Sequence, residues 1–221
     1  MKHHTGWSSL LVTVENIIFG FDGQDLKLLL VKHLEGPLKN RWCLPGDCLH
    51  SSENFDQTAA RIQQALTGRE KIHREQLGAF GPSKRTAGAR KASVAFFSLM
   101  YIRREKLFSW HNGRPEWHLF HELPSLMADH HRILEAALQY IRYQSSASPL
   151  LFKLLPPKFT IPQLQLLYEV VHGHPFDKRN FSRKMLSTGL LIKQSDKEKL
   201  SSKRGAYYYR VHAKAQSSKE R

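Results

Sequence analysis

Apolar positions along the first two thirds of the chain fall into short runs separated by turn residues. Residues 10–21 and 26–31 are β-branched or apolar runs, and Asp22-Gly23-Gln24-Asp25 between them is a hairpin signal. Residues 42–44 read as a short strand closed by Pro45-Gly46, and residues 77–80, 92–102 and 116–120 read as further strands. Helical spacing appears over 53–66, where Phe55, Ala59, Ile62 and Leu66 share one stripe and Gly68 lies just beyond. It returns over 129–143, with Ile133, Leu134, Ala137, Leu138 and Ile141 in register. This half of the chain is therefore a mixed α/β domain.

The pattern changes after residues 144–150, Gln-Ser-Ser-Ala-Ser-Pro-Leu, a small, polar stretch with the composition of a linker. Thr160 and Gln163 make a capping box for a helix that runs through Val171 and stops at Gly173. Asp177 is the N-cap of a second helix, with Phe176 and Phe181 as the two halves of a hydrophobic staple and Gly189 as its stop. Residues 190–193 and 206–211 then pair as strands around a lysine-rich loop. Two helices followed by a β-hairpin wing predict a winged helix-turn-helix. The chain divides into a mixed α/β domain over 1–148, the winged helix over 149–212, and a charged, disordered tail over 213–221.

Charge sharpens this division. The 221 residues hold 34 Lys and Arg against 19 Asp and Glu, a net of +15 and a pI near 10.0. Residues 149–221 alone carry 15 basic and 5 acidic side chains. Two thirds of the excess thus sits on the last third of the chain, where a polyanion would dock and release its counterions. On the second helix Phe181 and Met185 share one side, while Arg179, Asn180, Arg183 and Lys184 occupy the opposite arc and Lys178 precedes them. Leu186 departs from this split. Such a helix suits a major groove, where Arg pairs with guanine and Asn with adenine. Lys197, Lys199, Lys203, Arg204 and Gly205 make the wing basic, and Lys203 and Arg204 are placed for phosphate or minor-groove contact.

Other candidates are weaker. No apolar run reaches the roughly 18 residues of a membrane span, the first residues lack a signal-peptide core, and two cysteines cannot staple a secreted scaffold. A cytoplasmic protein is expected. Cys43 and Cys48 flank a turn with only His50 as a further ligand nearby, and read as structural thiols. His130 and His131 are adjacent on a helix and point about 100° apart, so they read as surface or packed side chains. Tyr207-Tyr208-Tyr209 alternates faces on a strand and reads as packing. No cofactor and no metal site are expected.

The spacing of Leu44-Pro45-Gly46-Asp47, Glu53, Arg61 and Gly68 resembles the Nudix box. In that box Asp47 stands at the leading glycine, while Glu53, Arg61 and Gly68 match. The three other glutamate positions are Ile62, Ala65 and Leu66, and the hydrophobic position is Gln63. Magnesium requires hard oxygen ligands, which isoleucine, alanine and leucine do not supply. With the basic helix and wing, the whole of residues 8–212 resembles the Nudix-related transcriptional regulators of the NrtR and AraR type. The most specific motifs are Asp177-Lys178-Arg179-Asn180-Phe181 and Lys203-Arg204-Gly205, with Gly78-Ala79-Phe80-Gly81 and Ala92-Ser93-Val94-Ala95-Phe96 also similar.

The resemblance implies an α+β fold, a mixed α/β sandwich of Nudix type, joined to a smaller winged-helix domain. It implies a homodimer that binds a double-stranded operator, with no catalytic residue, and a Nudix domain that senses a small-molecule effector. Family effectors are ADP-ribose or a sugar such as arabinose. Arg41, Trp42, Phe80, Arg85, Arg90 and Ser93 are the expected effector contacts. Where the family carries an Arg-Asp-Pro-like turn this chain has Arg85-Thr86-Ala87-Gly88-Ala89-Arg90, which tilts the expectation toward a sugar or sugar phosphate. Two other classes fit the same residues: a Nudix hydrolase that draws carboxylates from Glu35, Glu75 or Glu116, and an RNA-binding protein.

Overall fold

The computed structural model describes residues 10–81, 90–103, 106–111, 113–127, 129–198 and 205–212. The predicted 213–221 tail therefore lies outside the described residues. Among these, seven strands form one sheet: β1 (Leu10–Phe21), β2 (Leu26–His33), β3 (Trp42–Cys43), β4 (Gly46–Cys48), β5 (His73–Phe80), β6 (Arg90–Tyr101) and β7 (Gly113–Leu119). The order is β3-β2-β1-β6-β5, with β4 on β1 and β7 on β2. The Asp22 turn forms as its residues predict: the Asp22 carboxylate accepts the Gln24 and Asp25 amides, and Gly23 takes φ 100°. β4 was too short to read from pattern. It runs antiparallel to β1 and sets Glu15 opposite Gly46.

Helix α1 (Phe55–Thr67) follows β4. Its N-cap is Asn54, in a reciprocal capping box with Gln57, so it starts two residues later than the apolar stripe predicts. Ala59, Ile62 and Leu66 are fully buried, but Phe55, in the first turn, is exposed. Gly68 closes the helix in the left-handed conformation, as expected.

Helix α2 (His130–Ala147) runs four residues beyond the predicted end and consumes the first part of the serine-rich stretch. The physical reason is local. Ser145 and Ser146 donate to the Arg142 and Tyr143 carbonyls, and Ser148 to that of Gln144, so these hydroxyls turn back onto the helix. Pro149 follows, and cannot continue a helix.

The described residues form two compact units, one within 1–18, 28–98 and 105–137, the other within 19–27, 99–104 and 138–221. The second unit contains β8 (Phe159–Thr160), α3 (Ile161–His172), α4 (Lys178–Ser187), β9 (Leu191–Glu198) and β10 (Ala206–Val211), with the three strands ordered β8-β10-β9. Thr160 and Gln163 form the predicted capping box and Asp177 caps α4. The staple closes with the Phe176 and Phe181 rings 5.6 Å apart, and Tyr168 of α3 meets Phe181 at 5.4 Å. Between the helices, Glu169 accepts the Phe176 amide at 2.9 Å, and Gln165 donates to both Glu169 and the Phe176 carbonyl. The turn is thereby tied to the helix that precedes it. β8 and the length of β9 were not legible in the pattern; a register shift between Tyr207 and Tyr209 accommodates the longer strand.

Candidate functional site

The box motif folds into a closed electrostatic unit. Arg61, at the middle of α1, donates Nε to Glu53 at 2.7 Å and a terminal nitrogen to Asp47 at 2.8 Å. Its other terminal nitrogen reaches Glu53 at 3.0 Å and the Cys48 carbonyl at 3.5 Å. The hydroxyl of Thr58 donates to Glu53 as well. Hydrogen bonds from Arg61 hold the Glu53 carboxyl below its usual range. At Asp47 partial burial pushes upward, but the bonds from Arg61 and the Cys48 amide outweigh it and the net direction is down. The retained box glutamate, Glu53, and the neighbouring Asp47 are thus both engaged by one guanidinium.

The other box positions offer nothing to a metal. Ile62 and Leu66 are completely buried, and the buried Gln63 accepts from Arg74 through its side-chain oxygen. Among the described residues no group of three or more His, Cys, Asp or Glu side chains could hold an ion. The donors at this turn do not fit a divalent cation. Of the three outlying glutamates, Glu75 pairs with His73 at 3.0 Å and Glu116 with Arg114 at 2.9 Å, while Glu35 lies on an exposed loop.

Beside the box turn a cavity of about 310 Å³ opens, lined among others by Thr13, Glu15, Asp47, Lys91, Trp110 and His130. Glu15 is 3% exposed. Its Oε1 accepts from Thr13 at 3.1 Å, Lys91 at 3.3 Å and Ser93 at 3.4 Å. Burial raises the Glu15 pKa, and the Lys91 charge offsets part of that rise. His130 is 6% exposed, and its Nδ1 accepts the Leu44 amide at 2.8 Å. Burial, with the Lys91 charge, lowers its pKa to about 4, so it stands neutral with the proton on Nε2.

Of the expected effector contacts, the four among the described residues do not line this cavity. Ser93 donates to Glu15 and shares a 2.9 Å hydrogen bond with Thr13, so it supports the wall from behind. Arg41 is exposed in the loop before β3. Trp42 meets the His118 ring edge-on at 4.3 Å and lies under Lys32, and Phe80 lies 6.0 Å from the Arg132 guanidinium. Arg85 and the side chain of Arg90 fall outside the described residues. Sequence reasoning missed Glu15, Lys91 and His130. The available signal was Glu15 itself, the one charged side chain in a mostly apolar strand.

The second unit carries the basic surface. On α4 Phe181 and Met185 are buried, whereas Lys178, Arg179, Asn180, Arg183 and Lys184 are all exposed. Among the described residues no carboxylate lies within 4.0 Å of any of these four cations. Arg183 donates to the Asn180 side-chain oxygen at 2.7 Å, which aligns the two along one edge of the helix. On the wing, Lys193 and Lys197 stand 3.6 and 4.4 Å from the Tyr207 ring centre. Tyr207 is therefore an exposed platform for two cations, while Tyr209 is buried, so the packing expectation holds for only part of the triplet. Lys199, Lys203 and Arg204 lie outside the described residues.

Residues 151–211 match the family model of the NrtR DNA-binding winged helix domain. The chain is 30% identical over 208 residues to the ADPR responsive transcriptional repressor NtrR of Acinetobacter baylyi, covering 92% of this chain and 83% of that protein. Its fold is similar to Shewanella oneidensis NrtR complexed with a 27mer DNA, at 26% identity and a TM-score of 0.74 over 91% of this chain and 93% of the other. The NUDIX domain of the same Shewanella protein, complexed with ADP ribose, aligns at 25% identity and a TM-score of 0.53, covering 63% of this chain and 94% of that one.

Proposed function

The chain belongs to the NrtR family of transcriptional regulators, and on that premise we propose that it is an ADP-ribose-responsive repressor. The observation that carries the reading is the front of α4, four exposed cations and an asparagine without an internal counter-ion, on the second helix of a winged helix-turn-helix. Arg179, Asn180 and Arg183 read or position bases of a double-stranded operator, and Lys178 and Lys184 grip its backbone. Lys203 and Arg204 extend that grip from the wing, together with Lys193 and Lys197.

ADP-ribose is favoured over a free sugar by the names of the similar proteins, one called ADPR responsive and one complexed with ADP ribose. The tilt toward a sugar or sugar phosphate gives way to that. Residues 1–148 serve as the sensor, 149–212 as the DNA reader and 213–221 as a charged tail; the protein acts as a homodimer in the cytoplasm. Arg41, Trp42, Phe80, Arg85, Arg90 and Ser93 remain the proposed effector contacts; Trp42 lies two residues before Leu44 of the box turn and Ser93 on β6 beside β1, which makes these two the first to test by substitution. Effector binding favours one arrangement of the two recognition helices over another and so changes operator affinity.

The sensor does not hydrolyse its ligand. Support comes from the donor set, because Asp47 and Glu53 are tied to Arg61 and the remaining box positions are apolar or buried. The test is fluorescence anisotropy on a duplex selected from a random-sequence pool, with and without ADP-ribose, and with structured RNA as competitor. Duplex preference and a shift on adding ADP-ribose are expected; RNA preference would overturn the reading. In parallel, magnesium- or manganese-dependent turnover of ADP-ribose at about 1 per second or faster, abolished by Glu53→Gln, would make the chain an enzyme.

A further inference from the structure

The cavity beside the box turn holds a carboxylate that neither DNA binding nor the Arg61 unit uses. All three hydrogen bonds to Glu15 from described residues fall on Oε1. Oε2 lies instead against Gly46, its cross-strand partner, and a Cβ at position 46 would overlap that oxygen. Gly46 thus leaves room for the carboxylate beside the cavity that both residues line. Burying an ion costs several kcal/mol unless its lone pairs are matched, and the cation paired with it among the described residues, Lys91, has a side chain 44% exposed to solvent.

An acceptor placed in this way selects the chemistry of what enters. Glu15 repels a phosphate, so the anionic part of a ligand cannot lie against it. Hydroxyl groups, by contrast, donate to a carboxylate, and charge-assisted bonds of that kind are the strong ones. A vicinal diol presents two O–H donors side by side, and the lone pairs of Oε2, which no described residue occupies, can accept them. Lys91 has three N–H donors and spends one on Glu15, which leaves it able to hold a phosphate next to the diol.

We propose that Glu15 is the ribose-reading residue of the sensor, accepting hydrogen bonds from a vicinal diol of ADP-ribose while Lys91 takes the neighbouring phosphate. The assignment rests on ADP-ribose being the effector. Glu15 lies in β1 and Lys91 in β6, outside the six contacts expected from sequence.

Calorimetry on the full chain tests it with two probes: ADP-ribose, and a deoxy analogue in which the vicinal hydroxyls are replaced by hydrogen with the rings intact. The wild type binds ADP-ribose at least tenfold more tightly than the deoxy analogue, since a site built around a hydroxyl penalises a ligand lacking it. Glu15→Gln weakens ADP-ribose binding about 10- to 100-fold and leaves the deoxy analogue within about threefold, so the variant no longer tells the two apart. Equal binding of both probes by the wild type overturns the proposal even if the variant fails to fold. Equal losses for both probes in a variant with unchanged melting also overturn it. A wild type that binds no ADP-ribose removes the effector reading itself, and the diol assignment with it.

Discussion

The two arginine sites of this protein, on α1 and α4, use the same side chain in opposite ways. Arg61 spends its guanidinium inside the molecule, on Glu53, Asp47 and the Cys48 carbonyl, all within 3.5 Å. Arg179 and Arg183 are exposed on a helix without a carboxylate in reach among the described residues, and the one bond Arg183 makes is to a neutral amide. An internally balanced arginine contributes to the fold and has its charge already matched. A row of unbalanced ones costs self-repulsion, which a polyanion relieves. The contrast locates the partner surface more sharply than the net charge of +15 does.

The largest effect that would break the contrast is the salt dependence. A dimer that neutralises about 6–10 phosphates should lose about 10³- to 10⁵-fold in duplex affinity between 50 and 200 mM salt. An anisotropy titration giving a flat slope would mean that the α4 charges meet no phosphate.

His130 extends the comparison to a titrating group committed inward. Its folded pKa of about 4 lies below the ordinary 6.5, so between those values the unfolded chain binds the proton that the folded chain refuses. Stability from this group is complete above pH 6.5 and falls as pH drops toward 4, by up to about 3 kcal/mol. Urea melts across that range should show the loss, and His130→Gln should flatten it. Duplex affinity of the folded protein should not follow the same curve.

Arg179→Ala and Arg183→Ala should each cost about 1–3 kcal/mol of duplex affinity and relax preference at one base position per half-site. Lys184→Ala should weaken all duplexes alike and lower the salt slope by about one unit. Selection of binding sites by each variant separates the two classes. The smallest effect should come from the other arginine. Arg61→Ala should lower the melting temperature by roughly 3–8 °C and leave duplex affinity unchanged. A loss of affinity without a loss of stability would reverse the assignment.

What was legible in the sequence was local. Thr160 with Gln163, Asp177 with Phe176 and Phe181, and Asp22-Gly23 each act over a few residues, and the structure forms all of them. The basic arc of α4 is a helical-period feature and was equally plain. The box spacing carried the fold resemblance, though not that Asp47 and Glu53 would share one arginine. The cavity wall was hidden because its contacts span the chain: the Leu44 amide meets His130 across 86 positions, and Lys91 meets Glu15 across 76. Strands of two or three residues, β4 and β8, leave no period to detect. The serines at 145–148 read as linker because composition does not reveal that their hydroxyls bond back to the helix.

The central claim is that effector and operator are coupled through one protein, and coupling of binding free energies is reciprocal. The decisive measurement is a thermodynamic box: duplex affinity with and without saturating ADP-ribose, and ADP-ribose affinity with and without saturating duplex, at one salt concentration. Both ratios should be the same factor, about 5- to 150-fold. Two ratios of one, with each ligand binding well alone, would contradict the account and leave a DNA-binding protein that does not sense its nucleotide.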